Sequence, residues 1–260
     1  MLSQLKITIP PISDQRAIAD MLSSLHNKID LLHRQNKTLE SIAELLFKHW
    51  FIKAADESWD YTKLKDMDIV ITDYVANGSF ESLANNVNYK SDPDYAILIR
   101  LTDYNNSFNG DFIYVDEHAY NFLKKTKLFG GEVIISNVGE YSGTVFKCPN
   151  LLRPMTLGPN SIVIKSKFNN YFYLFFSSDY GKYLLDSIIS GSAQPKFNKT
   201  VFRDLEIFYP SIEYIIGFEK AVTPYFNKIE SNKNQVFLLA QLRDTLLSKL
   251  MSREARLKIS

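Results

Sequence analysis

The sequence predicts an α+β fold: a β-rich central domain flanked by two long helices that pair as an antiparallel coiled coil. Three observations predict it. The two ends of the chain repeat each other at an offset of 200 residues. Between residues 5–46 and 205–246 ten positions are identical without a gap, among them Pro10/Pro210, Ile12/Ile212, Asn27/Asn227, Ile29/Ile229 and Gln35/Gln235. Within each copy, apolar residues recur at steps of three and four after a proline stop, the spacing of a coiled-coil seam. Between the copies the pattern changes to short β-branched and aromatic runs bounded by Gly, Asn, Asp or Pro, as strands are. A repeat separated by a long unrelated stretch is not a solenoid, whose units must touch their sequence neighbours. It reads as two struts holding one cargo domain.

The first strut opens with alternating Leu5, Ile7 and Ile9, a strand ended by Pro10 and Pro11, which lack amide donors. Ser13 is the expected helix cap, with Asp14 in the first turn. Ile18, Leu22, Leu25, Ile29, Leu32, Asn36, Leu39, Ala43, Leu46 and Trp50 then form the seam. A helix from about residue 13 to 51 is about 58 Å long at 1.5 Å per residue and needs a partner, because propensity alone does not hold it. The partner is the second strut, which opens on its own copy of the strand and carries Phe218, Val222, Tyr225, Ile229, Asn232, Val236, Leu239, Leu242, Leu246 and Leu250. Asn36 and Asn232 interrupt the seams: each is either buried, fixing the register at a cost in stability, or tipped to solvent at a helix edge. Pro224 removes a helical hydrogen bond, so a kink or a break into two helices is expected there. In the cargo, six runs read as strands: DIVIT, YAILIRL, DFIYV, GEVIIS, GTVFK and NSIVIK. One helical stretch is expected over about 170–187, interrupted by Gly181. The expected domains are 1–56, 57–204 and 205–260.

With 260 residues, 45% of them hydrophobic, the chain can bury one substantial core plus an accessory element, and it lacks the composition of a disordered protein. Its one cysteine, Cys148, excludes an internal disulfide and fits a reducing compartment. The N-terminal MLSQLKITIPP has neither the charged start nor the apolar run of a signal peptide. No stretch of about 18 apolar residues is present to span a bilayer, so a cytoplasmic location and no membrane partner are expected. Net charge is +1, and residues 57–204 hold 15 Lys and Arg against 17 Asp and Glu, a net of −2. Any contact with nucleic acid must therefore come from a local patch.

Three loops carry side chains of the kind that read base edges or hold phosphates: Arg100, Asn105 and Asn106; Asn137, Tyr141 and Ser142; and Ser192, Gln194, Lys196, Asn198 and Lys199. Asn, Gly and Ser also favour turns for their own sake. The third loop is the densest in such groups and is the strongest candidate. Lys124, Lys125 and Lys127 form a tight basic cluster, either tracking a phosphate backbone or simply solvated. Signs of catalysis are few. His26, His33 and His49 lie on the first strut away from its seam, and no paired-cysteine or His-Glu-x-x-His spacing for a metal exists. Phosphate-cradling glycine motifs and a Gly-x-Ser-x-Gly elbow are absent too. Asp111, Asp116 and Glu117 have no spacing that demands a metal. We therefore expect no catalytic residues, no bound metal and no cofactor.

The run IPPISDQRAIADMLSSLHNKIDLLHRQNKTLESIAELLFKHWF, followed by SGSAQPKFNKTVFRDLEIFYPS and a second long helix, resembles the specificity (S) subunits of bacterial type I restriction-modification enzymes. In that family, target recognition domains alternate with helical regions that pair antiparallel. The resemblance implies a non-catalytic, sequence-specific binder of double-stranded DNA that docks methyltransferase and motor-nuclease subunits, with S-adenosylmethionine and ATP bound by those partners. One departure stands out: full-length members carry two recognition domains and this chain has one, so a single copy reads a half-site. The second copy also reads EYIIGFEK where the first reads SDQRAIAD. A homodimer packed tail to tail into four helices would place two recognition domains on an interrupted palindrome. The alternatives are a coiled-coil scaffold presenting a β-rich protein-interaction domain, and a silent half-gene that donates its recognition domain by recombination.

Overall fold

The structure, a computed structural model, describes residues 11–54 and 59–251. The expected first strand, Leu5 to Ile9, lies outside the described residues. In chain order the elements are α1 (Ile12–Lys48), continued by a π-helical turn (His49–Lys53), then β1 (Asp60–Lys63), β2 (Val70–Asp73) and α2 (Phe80–Asn86). There follow β3 (Ala96–Ile99), α3 (Leu101–Asn105), β4 (Ile113–Val115), α4 (Glu117–Phe122), β5 (Lys127–Leu128), β6 (Val133–Ser136) and β7 (Val145–Lys147). The chain ends with β8 (Met155–Leu157), β9 (Ser161–Lys165), α5 (Asn169–Ser177), α6 (Asp179–Ile188), α7 (Lys199–Arg203), β10 (Glu206–Tyr209) and α8 (Ile212–Met251). They form two compact units. One holds α1 up to Ala43 with α8 from Pro224, and the other runs from Glu44 to Thr223.

The internal repeat is also a repeat of structure, since α1 begins at Ile12 and α8 at Ile212. Ser13 is not the cap of α1. The helix starts one residue before it, the Pro11 carbonyl accepts the Gln15 N–H at 3.0 Å, and the Ser13 hydroxyl donates to Asp14 Oδ1. Proline serves at this position because the amide it lacks would have no helical partner. In α8 the matching residue, Ser211, accepts the Tyr214 N–H through its Oγ.

All ten expected seam residues of α1 are buried or half-buried, whereas His26, His33 and His49 are exposed. In α8 the seam departs at one residue: Leu242 is 47% exposed and Arg243 is partly covered instead. Strict alternation of steps from Ile229 runs through Asn232, Val236, Leu239, Arg243, Leu246 and Leu250, and the aliphatic stem of Arg243 occupies the position. Asn36 and Asn232 are both buried, and Asn232 Nδ2 donates to Asn36 Oδ1 at 2.8 Å. The two asparagines therefore face each other instead of tipping to solvent. Pro224 does not break α8, which continues through it as one helix. Pro224 is exposed, as is Lys220, whose carbonyl loses its donor, so the defect sits on the solvent side.

In the second unit the six expected strands are all present, as β2, β3, β4, β6, β7 and β9. They build one antiparallel sheet in the order β2-β9-β6-β7 and one mixed sheet in the order β4-β3-β8-β5, where β3 and β8 run parallel. The runs AILI of β3 and VIIS of β6 are buried at every residue, which is why all but Ser136 are apolar instead of alternating with polar residues. The short strands β1, β5 and β8 were not expected from the pattern, nor were the short helices α2, α4 and α7. The expected helical stretch is two helices, α5 and α6, split at Ser178, whose Oγ accepts the Gly181 N–H. Glycine is required at 181 because a Cβ there would lie 2.1 Å from the Phe175 carbonyl oxygen.

The ends of both long helices are cemented to the sheets by aromatic rings. Phe51 packs edge-on to Phe218 (4.7 Å between centroids), Tyr171 (5.0 Å) and Tyr214 (5.6 Å), and Trp59 joins Phe208 (5.1 Å). Phe47 contacts Phe218 and Trp50 contacts Tyr214, so α1 and α8 run antiparallel here. β1 pairs with β10 in a separate two-stranded ribbon. Glu219 of α8 reaches the start of α5: its carboxylate accepts the Tyr171 N–H and Asn170 Nδ2, both at 2.8 Å, while Asn170 Oδ1 accepts Lys147 Nζ. Burial raises the Glu219 carboxyl above its ordinary range, and these hydrogen bonds offset part of the rise.

Candidate nucleic-acid interface

Strand direction gathers the candidate loops at one end of the two sheets. Because β9 is antiparallel to β2 and β6, the C-terminal ends of β2 and β6 lie beside the N-terminal end of β9. The parallel pair β3 and β8 ends beside them, since the turn 158–160 carries the chain from β8 straight into β9. That turn is held on both sides: the Gly158 N–H donates to the Ile99 carbonyl at 2.8 Å, and the Asn137 N–H donates to the Asn160 carbonyl at 3.0 Å. Asn160 adopts φ +63°, a conformation Asn tolerates better than most residues.

The second and third loops form one surface. Asn137 Nδ2 donates to the Phe197 carbonyl at 2.9 Å, the Phe197 N–H returns a bond to the Asn137 carbonyl, and the Gly139 N–H donates to the Pro195 carbonyl at 2.8 Å. The third loop closes on itself through paired backbone bonds between Ser190 and Lys196. Gly191 makes the closure possible, with φ +91° and Gln194 O only 2.9 Å from where a Cβ would stand. Of the candidate side chains on this joint surface, Tyr141 (59% exposed), Ser192, Gln194, Lys196 and Asn198 are exposed, and the carboxylate of Glu140 is exposed among them.

Other candidates already have structural work. Asn198 caps α7 by accepting the Val201 N–H, and Lys199 Nζ sits 2.7 Å from Asp73 Oδ1. Ser142 Oγ and Asn137 Oδ1 are buried without a hydrogen-bond partner among the described residues, so Asn137 acts chiefly as the stitch between three loops.

The first candidate segment is a correction to the expected loop, because residues 101–105 form the helix α3. Its N-terminus is held by Asp103, whose Oδ2 accepts the Arg100 N–H at 2.7 Å while its own N–H donates to the Arg100 carbonyl at 3.1 Å. Arg100 Nη2 lies 2.6 Å from Asp103 Oδ1, Nε contacts Oδ2, and Asp103 is 2% exposed. The guanidinium fork that would pair with guanine is therefore engaged by a buried carboxylate. Asn105 and Asn106, at the far end of α3, are exposed. Turn 158–160 was not singled out in the sequence, although Gly-Pro-Asn between two apolar runs is a strong turn signal. Among the described residues no group of His, Cys, Asp and Glu is placed to hold a metal ion, and no helix is long and apolar enough to cross a membrane.

The family model of the type I restriction modification DNA specificity domain matches residues 1–41. The chain is 26% identical over 321 aligned residues to the HindI specificity subunit of Haemophilus influenzae, covering 97% of this chain and 69% of that protein. It is 23% identical to the MjaIX specificity subunit of Methanocaldococcus jannaschii, covering 99% of this chain and 62% of that protein. Among solved structures, the S subunit of a type I restriction-modification system from M. genitalium superimposes with a TM-score of 0.56 at 16% identity, over 96% of this chain and 62% of that one. The chain thus spans about two thirds of the length of its relatives. Those relatives are named as specificity subunits, in agreement with the expectation that the chain is not itself an enzyme. In sequence over nearly its whole length, and in fold, the chain is similar to the specificity subunits of type I restriction-modification systems, as its proline-helix element and the segment around Gln194 predict.

Proposed function

We propose that the chain is a half-length specificity subunit that reads a DNA half-site with the loops at one end of its β-rich unit. The observation that carries this reading is the joining of the second and third loops by hydrogen bonds into one surface on which Tyr141, Ser192, Gln194 and Lys196 are exposed. Gln presents the donor and acceptor pair that adenine matches, Lys and Ser suit phosphate, and Tyr offers a face for stacking. Asn105 and Asn106 reach the same end through α3. Asn137, Asn198, Lys199 and Arg100 support the surface in this reading. The helix pair docks methyltransferase and motor-nuclease subunits, which bring S-adenosylmethionine and ATP, and the protein works in the cytoplasm.

One copy reads one half-site, so the reading includes a homodimer. Light scattering at micromolar concentration should give twice the 30.0 kDa chain mass; a monomer throughout would remove the dimer. The scaffold reading is favoured by the net charge of −2 over residues 57–204. Titration of short duplexes at several salt concentrations separates the two. A DNA reader loses affinity steeply as salt rises, because bound phosphates release counterions, and a protein scaffold shows no such binding.

A further inference from the structure

Several cations of the β-rich unit are held in ion pairs. Lys63, Lys65, Lys90, Arg100 and Lys199 each lie within ion-pair distance of a carboxylate: Glu206, Asp204, Asp94, Asp103 and Asp73 respectively. Lys124, Lys125, Lys127 and Lys165 have no such carboxylate among the described residues; Lys127 Nζ instead donates to Asn121 Oδ1 at 3.0 Å and lies 4.0 Å from the centroid of the Tyr120 ring. Lys124–Thr126 is a 3-10 turn that leads into β5 and lies against β2, an edge strand. Lys165, at the end of β9, donates from Nζ to the carbonyls of Lys127 (2.6 Å) and Lys125 (3.3 Å), so it underpins the turn.

The turn is built, not merely exposed. Its one uncharged residue, Thr126, is wholly buried and bonded to Asn77 Nδ2 (2.8 Å), Thr156 Oγ1 (3.2 Å) and the Leu123 carbonyl (3.1 Å). Asn77 Oδ1 also accepts the Lys125 N–H. With Thr126 pinned inward, Lys124 and Lys125 are left exposed. Glu132, the acidic group whose charge acts on Lys165, spends its carboxylate on the Phe129 and Gly130 amides. Lys124 and Lys125, exposed and without an ion-pair partner among the described residues, present positive charge that a polyanion can meet. It also joins the loop surface: Lys125 Nζ donates to the Ala76 carbonyl at 2.7 Å, and three residues earlier Asp73 holds Lys199 of the third loop segment.

We propose that Lys124, Lys125 and Lys127, propped by Lys165, bind the phosphodiester backbone of DNA beside the reading loops. This rests on the DNA-reading function above and assigns it a sequence-independent grip. The test uses the full chain with a random-sequence duplex, comparing wild type, Lys124→Gln with Lys125→Gln, and the control Lys63→Gln with Lys65→Gln. Near-ultraviolet circular dichroism checks that each variant is folded.

The expected result is a slope of log K against log salt that falls by about 0.9 for each lysine removed from the cluster, with the control slope unchanged. Preference among duplexes should not move. If wild type binds with a salt slope that the cluster variant keeps, the phosphate grip is wrong and the DNA reading survives. Should wild type bind no duplex at any salt, both fall. Loss of methyltransferase-subunit binding with the DNA slope intact would make the cluster a protein-docking surface and overturn the proposal.

Discussion

Arg100 illustrates how a residue type chosen for its chemistry is reassigned by its neighbours. Arginine after a strand and before Asn-rich sequence suits base reading, yet its fork closes on Asp103, which is 2% exposed. Replacing it with alanine leaves that carboxylate buried and unpaired, a loss of roughly 3–5 kcal/mol. Arg100→Ala should therefore lower the urea midpoint, whereas a residue that only reads bases would leave it unchanged. Glu219 is the second residue with a measurable signature. Its carboxyl is raised by burial, so the folded state holds the proton more tightly than the unfolded chain does. Stability relative to Glu219→Gln should then fall as pH rises from the ordinary carboxylate range through the raised value, and level off above it. Urea unfolding over a pH series checks this, and a constant difference between the two proteins would contradict it.

Among the elements, the helices and the central strands were legible because their patterns are sustained. The seam predicts burial along α1 at every position, and it slips in α8 only where strict alternation selects Arg243 over Leu242. Short elements were not legible. β5 and β8 have two and three residues, too few for a period, and α3 hid in a polar segment because its start is held by the bonds between Asp103 and Arg100. The loop surface was legible as composition only, because the bonds joining Asn137 to Phe197 span 60 positions of sequence. The facing asparagines give the helix pair a register mark. Asn232→Leu alone should cost about 1–3 kcal/mol by stranding Asn36. The double change Asn36→Leu with Asn232→Leu should raise the melting temperature while permitting alternative registers. A double-mutant cycle in thermal unfolding reads the coupling, and additive effects would mean that the pair is not interacting.

For the molecule as a whole, the repeat at 200-residue offset predicted two equivalent helices, and they start at equivalent residues, Ile12 and Ile212. What remained hidden was how the second unit recruits the helix ends: Trp50, Phe51, Tyr214 and Phe218 pack into one aromatic cluster with Tyr171 and Trp59, and only the folded chain brings those positions together. In the proposed function, the joined loops choose the DNA sequence on which a partner methyltransferase acts. Co-expression with a methyltransferase subunit, followed by mapping of methylated adenines across the host genome, tests it directly. The expected result is one recurring interrupted motif in which Gln194→Ala relaxes the same base position in each half-site, with methylation retained elsewhere. A motif untouched by changes at Tyr141, Ser192 and Gln194, or no methylation dependent on this chain, would contradict it.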